Sequence, residues 1–396
     1  MNKIDQLTSS QCCGCAACMD RCPVHAISMK EDNDGNRRAF IEDGCCIDCG
    51  QCARVCPFFK KEQNSDSDKK ANVAAANDKE LTHKSSSAGI FTILAHKIIE
   101  KGGVVYGAAM MCENENIVCK HIRVDNFKQL TLLQGSKYVQ SRTDGIYTLV
   151  KKDLQEGRLV LFSGTPCQVA SIKSFIGNNT LLLTVDLVCH GVPKDRLFRD
   201  YITYLETDNQ FHLIDISFRS KDIFFNGKED LFALTLQGKT KTDNIVSKIL
   251  RHNKSAYCSL YFNKAGYRDS CYHCIYTNLQ RPGDITLGDF SPRQNEIEHY
   301  AFDTKEHYSS IIVHTDKGAE LIADIANMIT ATEIPMETML EHHSNLKEPS
   351  KITQTGRELY HVYMEGGFAK LQKKINMRYT KYCIKTFIKS KLLFAR

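Results

Sequence analysis

Apolar positions along the chain change period repeatedly, and the change follows one order. "ANVAAAN", residues 71–77, is a compact apolar run that predicts a short strand. After it, "SSSAGIFTILAHKIIEKGGVVYGAAM" carries Ile90, Leu94 and Ile98 at i, i+4 spacing and then a β-branched run, which predicts a helix followed by a strand. Ser85 to Ser87 offer N-caps for that helix, and Gly102 and Gly103 stop it. "RLVLFSGTPCQVASIKSFIG" repeats the order as apolar strand, Gly-containing turn and helix ended by Gly177. "LLLTVDLVCHGVP" and "DITLGDF" read as two further buried strands. Strand, helix, strand in succession predicts an α/β sheet with parallel neighbours.

The polar stretch "FKKEQNSDSDKKAN", residues 59–72, interrupts this pattern and has the composition of a surface linker. The chain is therefore expected to divide into a small module over 1–60, a linker over 61–72, a larger domain in two parts, 73–155 and 156–320, and a helical C-terminal region over 321–396.

Composition narrows the class. Of 396 residues, 42% are hydrophobic and 25% charged, as in ordinary globular chains. No apolar run reaches about 18 residues, the length a membrane helix needs. The start "MNKIDQLTSSQCCG" lacks the basic and apolar regions of a signal peptide, so a cytoplasmic location is expected. In that compartment structural disulfides are rare, and the 18 cysteines call for metal or redox chemistry.

Ten of the cysteines precede residue 57. "CCGCAACMDRCP" supplies Cys12, Cys15, Cys18 and Cys22 before Pro23, and "CCIDCGQCARVCP" supplies Cys46, Cys49, Cys52 and Cys56 before Pro57. Both are C-x2-C-x2-C-x3-C-P, the spacing that holds two [4Fe-4S] clusters with the fourth ligand exchanged between runs. Cluster one is expected on Cys12, Cys15, Cys18 and Cys56, and cluster two on Cys46, Cys49, Cys52 and Cys22. The stretch between them reads as a hairpin around Asn33, Asp34 and Gly35, giving an α+β ferredoxin-like domain. Zinc sites use spaced pairs rather than this triple-plus-one run. Cys13 and Cys45 fall outside the pattern and are expected to be buried thiols near the clusters.

A second cysteine group is spread along the larger domain. Cys167 lies in the first turn of a predicted helix, with Thr165 as N-cap and Pro166 at the first helical position, and Cys189 ends the next strand. Cys271 and Cys274 arrive in "SCYHC" just before "DITLGDF". Ligands gather outside the carboxyl ends of parallel strands, so these four can meet at one rim and hold a third [4Fe-4S] cluster. Other readings stay open at this point: Cys258 in place of one member, zinc on the same four residues, a free redox dithiol, or structural thiols.

"SSSAGIFT", "GSKYVQS", "FSGTPCQVA", "VDLVCHGVP", "SCYHC" and "DITLGDF", in this order, resemble the family of beta-subunits of coenzyme F420 reducing hydrogenase and dehydrogenase, in a bacterial branch with a two-cluster ferredoxin front end. The resemblance implies a flavin-binding α/β domain and an iron–sulfur flavoprotein oxidoreductase. In it, FAD exchanges a hydride with a small-molecule donor or acceptor, such as coenzyme F420, and clusters pass single electrons to a ferredoxin or another redox protein. It directs attention to Ser86, Ser87 and Gly89, and to Ser163, Gly164 and Thr165, whose backbone N–H groups can hold a pyrophosphate. Ser136 and Lys137 in "GSKYVQS", His190 and Asp289 are the remaining flavin-side candidates. No residue stands out as a catalytic acid or base. Ala88 and Ser291 depart from the family pattern, where Gly and Trp are frequent, and keep a second reading in view: a non-catalytic electron-transfer or redox-sensing subunit.

Net charge is +6, yet residues 371–396 carry eight Lys or Arg and no acid. Basic positions 374, 378, 381, 385 and 389 suit a basic amphipathic helix able to dock on anionic lipid or an acidic partner. No motif supports nucleic-acid binding.

Overall fold

The computed structural model describes residues 4–59, 70–219, 221, 223–225, 228–304 and 306–394. In the N-terminal segment, strands β1 (Ile27–Glu31) and β2 (Arg37–Ile41) form the expected antiparallel hairpin, with Ile27 opposite Ile41. Short helices Ala17–Arg21 and Gln51–Arg54 follow the two cysteine loops. The loops match in backbone conformation: Gly14 and Asp48 have φ of 68° and 53°, and Ala16 and Gly50 have φ of 61° and 68°. This left-handed wrapping repeats the sequence repeat in three dimensions.

The larger domain adds strands β3 (Ala71–Ala76), β4 (Val104–Glu113), β5 (Asn116–Val124), β6 (Val160–Gly164), β7 (Leu182–Leu187), β8 (His212–Ser217), β9 (Phe224–Phe225), β10 (Lys228–Glu229), β11 (Leu234–Lys239), β12 (Ile245–Leu250), β13 (Ile285–Phe290), β14 (Tyr308–Val313) and β15 (Ile329–Ile334). Eight of them form one sheet in the order β15-β3-β14-β13-β7-β6-β4-β5. The central four, β13, β7, β6 and β4, are parallel as predicted, and antiparallel strands flank them on both sides.

Alternating side chains bury both faces of this sheet. Val105, Leu161, Leu183 and Val185 pack on the helix Ile90–Glu100 through Ile90, Ile93, Leu94 and Ile98. Val104, Tyr106, Val160, Phe162 and Leu182 pack on the helices Ile146–Gln155 and Pro166–Ile176. The period-2 alternation of the strands and the 3.6 period of the helices thus meet in a three-layer α/β/α arrangement.

Several expectations are corrected. Ser85 to Ser87 do not cap the helix Ile90–Glu100, whose N-cap is Gly89 at φ 84°. An additional helix, Lys79–Lys84, ends at Ser85, and Asp78 caps its start by accepting from Glu80 N and Leu81 N. The C-terminal region is not purely helical: β15 lies at the edge of the main sheet beside β3, so residues to at least 334 complete the larger domain. Residues 60–69 of the expected linker lie outside the described residues, and residues 71 and 72 already belong to β3. A three-stranded sheet, β12-β11-β8, was not foreseen; its core includes Leu213, Ile216, Leu234 and Leu236 packed with the helical segment Gln354–Phe394, which is broken by a kink at Gly366 and Gly367. That helix bears the basic tail, and its side chains from residue 385 onward, Lys385 and Lys389 among them, lie outside the described residues. Among the described residues no helix is long and apolar enough to cross a membrane.

Candidate functional site

One cavity of about 720 Å³ opens at the carboxyl ends of the parallel strands. Its volume falls within the usual range for small-molecule and cofactor sites. The β6–helix turn supplies Ser163, Gly164, Thr165 and Cys167 to its wall, and the segment after β7 supplies Cys189 and His190. Cys271 and Cys274 enter from the loop before β13, and Asp289 from β13 itself. Ser86, Ser87, Gly89, Ser136 and Lys137 line the same space. Every flavin-side candidate and all four dispersed cysteines therefore share one cavity. Cys258 does not: it is buried in the core of the three-stranded sheet beside Tyr257 and Leu260.

The β6 turn owes its shape to a full capping box, Thr165 with Gln168, and to Pro166 in the first turn. Thr165 Oγ1 lies 3.2 Å from Cys167 Sγ. Val192 N donates to Cys271 Sγ at 3.4 Å. The four sulfurs are near enough for each to feel the other three, while among the described residues no three Cys, His, Asp or Glu side chains converge closely enough to hold a single ion. Burial pushes the Cys271 thiol to about 12 and the Cys274 thiol to about 11. Neither is tuned as a free nucleophilic thiolate, which requires a depressed pKa. Cys167 instead moves down to about 7, hydrogen-bonded by Cys13 and Thr165.

In the N-terminal domain, Cys12, Cys15, Cys18 and Cys56 surround a second, small cavity, together with Ile4, Leu7, Ala39 and Phe58. Cys22 accepts a hydrogen bond from Ala26 N at 3.3 Å and is half-buried like Cys52, whereas Cys46 and Cys49 are exposed. Cys45 is exposed as well, against the expectation of a buried thiol, because it closes an exposed turn in which its N–H donates to Glu42 O at 3.2 Å. Cys13 is half-buried and hydrogen-bonds both Cys15 and Cys167, so it touches both cysteine groups.

The other candidates have specific surroundings. Lys137 Nζ donates to Gln134 O at 2.6 Å, and burial lowers its pKa to about 8. His190 Nδ1 lies 2.5 Å from Asn345 Oδ1, and burial lowers its pKa too. Asp289 is paired with Arg219 at 2.5 Å, so its charge is already balanced. Ser86 Oγ is buried on the cavity wall and has no hydrogen-bond partner among the described residues. Ala88 is completely buried and donates its N–H to Ser309 Oγ, so its methyl group does not intrude on the cavity. Ser291 lines the cavity and brings no ring there, but Tyr138, Tyr261 and Phe262 do; Tyr138 stacks on Tyr261 at 4.4 Å between centroids.

Sequence reasoning missed two arginines. Arg268 and Arg281 are each 1% exposed and both line the cavity. A basic residue beside a Cys-x-x-Cys loop was the available signal, but its burial depends on distant partners.

The cavity is closed on one side by the cysteine domain. Gln140 Nε2 donates to Cys13 O at 2.8 Å, and Thr143 Oγ1 and Tyr147 Oη donate to Cys15 O at 2.6 and 2.8 Å. Arg196 and Arg199 hold Glu31 at 2.7 and 2.6 Å. The two domains are thereby fixed with the first cysteine loop against the rim.

Comparison with known proteins agrees with this architecture. The C-terminal family of coenzyme F420 hydrogenase/dehydrogenase beta subunits matches residues 157–338, and a 4Fe-4S dicluster domain matches residues 11–59. One of the F(420)H(2) dehydrogenase subunits of Methanosarcina mazei, the one designated F, is 22% identical over 200 residues, which cover 47% of this chain and 56% of that protein. The match thus spans little more than half of the relative's length. A chain of the F420-reducing [NiFe] hydrogenase complex from Methanosarcina barkeri superposes with a TM-score of 0.45 at 14% identity, over 77% of this chain and 94% of that one, too loosely to carry an argument. Residues 157–338 thus resemble the C-terminal family of coenzyme F420 hydrogenase/dehydrogenase beta subunits, and a 4Fe-4S dicluster domain precedes them.

Proposed function

We propose that this chain is an iron–sulfur flavoprotein oxidoreductase: FAD in the 720 Å³ cavity, a third [4Fe-4S] cluster on Cys167, Cys189, Cys271 and Cys274, and two clusters on the N-terminal cysteines. The observation that carries the reading is that one cavity is lined by both Ser/Gly loops and by all four dispersed cysteines, next to the first ferredoxin-like loop. FAD and [4Fe-4S] clusters together supply conversion between a two-electron hydride and single electrons.

The protein's own residues prepare for those groups. Ser86 Oγ offers a donor to a pyrophosphate beside the β6 turn, whose Thr165 N–H is already taken by Gln168 Oε1 at 3.1 Å; Lys137 offers a cation, and the Tyr138–Tyr261 pair offers an apolar stacking face. Four cysteine thiolates suit a cubane, in which each takes a different iron. Cys13, between Cys15 and Cys167, keeps the rim group and the first N-terminal group adjacent. The exposed Cys46 and Cys49 mark the second N-terminal group as the exit toward a redox-protein partner. The hydride partner is a small molecule of the coenzyme F420 type, by analogy with the activity named for the relatives.

Anaerobic purification followed by iron, sulfide and released-flavin assays tests this. About twelve irons and one FAD per chain are expected. Eight irons without flavin would favour the non-catalytic electron-transfer reading. Cys271→Ala should lower the count to about eight while the ferredoxin-type signals persist.

A further inference from the structure

Arg268 sits at the junction of the two cysteine groups. Its guanidinium is buried, with Nη2 donating to Arg37 O at 2.6 Å and Cys12 O at 3.3 Å, both in the N-terminal domain. Nη1 meets Asp195 Oδ2 at 3.3 Å, and Nε is buried with no hydrogen-bond partner among the described residues. On its other side Arg268 lines the large cavity and its charge reaches Cys167 and Cys271. Gly14 makes room for it: a Cβ there would stand 2.8 Å from Nη2 and 2.6 Å from Arg37 O. The equivalent position in the second loop is Asp48, which faces solvent and carries a side chain at a similar φ of 53°. The glycine is therefore required by the arginine as well as by the turn.

A buried guanidinium is costly unless negative charge surrounds it. Asp195 provides one carboxylate, at a long distance for an ion pair and on the first turn of its helix. The unused Nε donor and the position between two cysteine groups point to anionic sites on both sides. Resting on the reading that both groups hold clusters, we propose that Arg268 is a positioning residue: one fixed positive charge shared by the rim cluster and the Cys12/Cys15/Cys18/Cys56 cluster, raising the reduction potential of both. Adding an electron makes a cluster more negative, so a nearby cation favours the reduced form. Net charge and hydrogen bonding are among the factors that set cluster potentials. Asp195 acts with the opposite sign, by offsetting part of the arginine's charge.

The test uses the full-length holoprotein, with redox titration followed by electron paramagnetic resonance and with iron counted in each sample. Arg268→Gln should lower the reduced-to-oxidised ratio at fixed potential by about tenfold, equivalent to about 59 mV for a one-electron couple, with iron unchanged. Asp195→Asn should move the same transitions upward, a sign reversal that loosened packing would not produce. Arg268→Lys keeps the charge and should stay near the parent potentials even where Arg268→Gln folds poorly. Transitions that stay within twofold in both Arg268→Gln and Asp195→Asn, or that move in one direction in both, would overturn the proposal, as would Arg268→Lys behaving like Arg268→Gln. A parent protein with only about eight irons fails differently, by removing the rim cluster and the sharing with it.

Discussion

Arg281 and Asp186 face each other at 2.7 Å with side chains 1% and 0% exposed. Asp186 ends its run in β7, and Arg281 closes the loop that begins at Cys271. The arginine also donates to Tyr276 O and Leu187 O, each at 2.6 Å, so the pair ties the cysteine loop to the strand that leads to Cys189. Removing one partner of such a pair costs about 3–5 kcal/mol, because the other charge is left buried. Arg281→Met should therefore lower the denaturant midpoint strongly and raise the alkylation rate of Cys274. Joint replacement, Asp186→Leu with Arg281→Met, should recover part of the stability, measured by urea unfolding under anaerobic conditions.

Asp20 caps a helix in the other domain. Gly145, the N-cap of the helix Ile146–Gln155, has no side chain to offer, and Asp20 accepts instead from Gly145 N at 2.8 Å and Tyr147 N at 3.1 Å. Asp20→Ala should cost about 1 kcal/mol, as a lost N-cap does. The loss should appear as lower thermal stability together with faster limited proteolysis of the N-terminal domain, whereas Asp20→Asn should retain most of both.

The sequence was most readable where the determining contacts are local. Two cysteine runs announce a dicluster domain because three ligands of each set lie within seven residues, and Gly177 ends its helix by local backbone preference alone. The meeting of Cys167, Cys189, Cys271 and Cys274 was legible for a second reason: the strand-end rule converts sequence order into position on one rim. Arg268 and Arg281 were not legible, since an arginine in a loop reads as a surface charge until Arg37, Cys12 and Asp186 are brought against it. Ser85 to Ser87 were misread as caps because the run lies between two helices. The Asp78-x-x-Leu81 start of the first was an available and overlooked signal. Strands β11 and β12 escaped because "LTLQGK" buries only alternate residues and "IVSKIL" is mostly exposed at the sheet edge.

His121 gives a pH prediction. It is 2% exposed, stacks on Phe162, and is pushed down to about 4 by burial. Its Nε2–H donates to Ser163 O at 2.9 Å, so Nδ1 accepts from Ser141 Oγ at 2.8 Å, and the ring must be neutral. The unfolded chain takes up a proton below its ordinary value of 6.5, while the folded chain does not until about pH 4. Stability present above pH 6.5 is therefore lost as pH falls toward 4, by roughly 3 kcal/mol for this one group. His121→Gln can still donate to Ser163 O and has no such proton to gain. Its disadvantage relative to the parent should shrink by about that amount between pH 7.5 and pH 4.5 in urea unfolding, and a constant gap would contradict the assignment.

Lys137 tests the cavity from the side of its ligand. Burial holds its ammonium group at about 8, well below the ordinary value, while Nζ stays tethered to Gln134 O at 2.6 Å. An anionic pyrophosphate in the cavity would favour the protonated form, so flavin binding should take up a proton and weaken as pH rises through 8. A charge-assisted hydrogen bond contributes about 1.5–3 kcal/mol, or roughly tenfold to a hundredfold in affinity. FAD titrated into flavin-free protein should therefore bind at least about tenfold more weakly to Lys137→Met than to the parent at pH 7. Above pH 8 the two affinities should converge, because the parent loses its charge and the variant has none to lose. If Lys137 is only a loop lysine bonded to its own backbone, both proteins will bind flavin equally at every pH, and the pyrophosphate must be sought at Ser86 and the β6 turn alone.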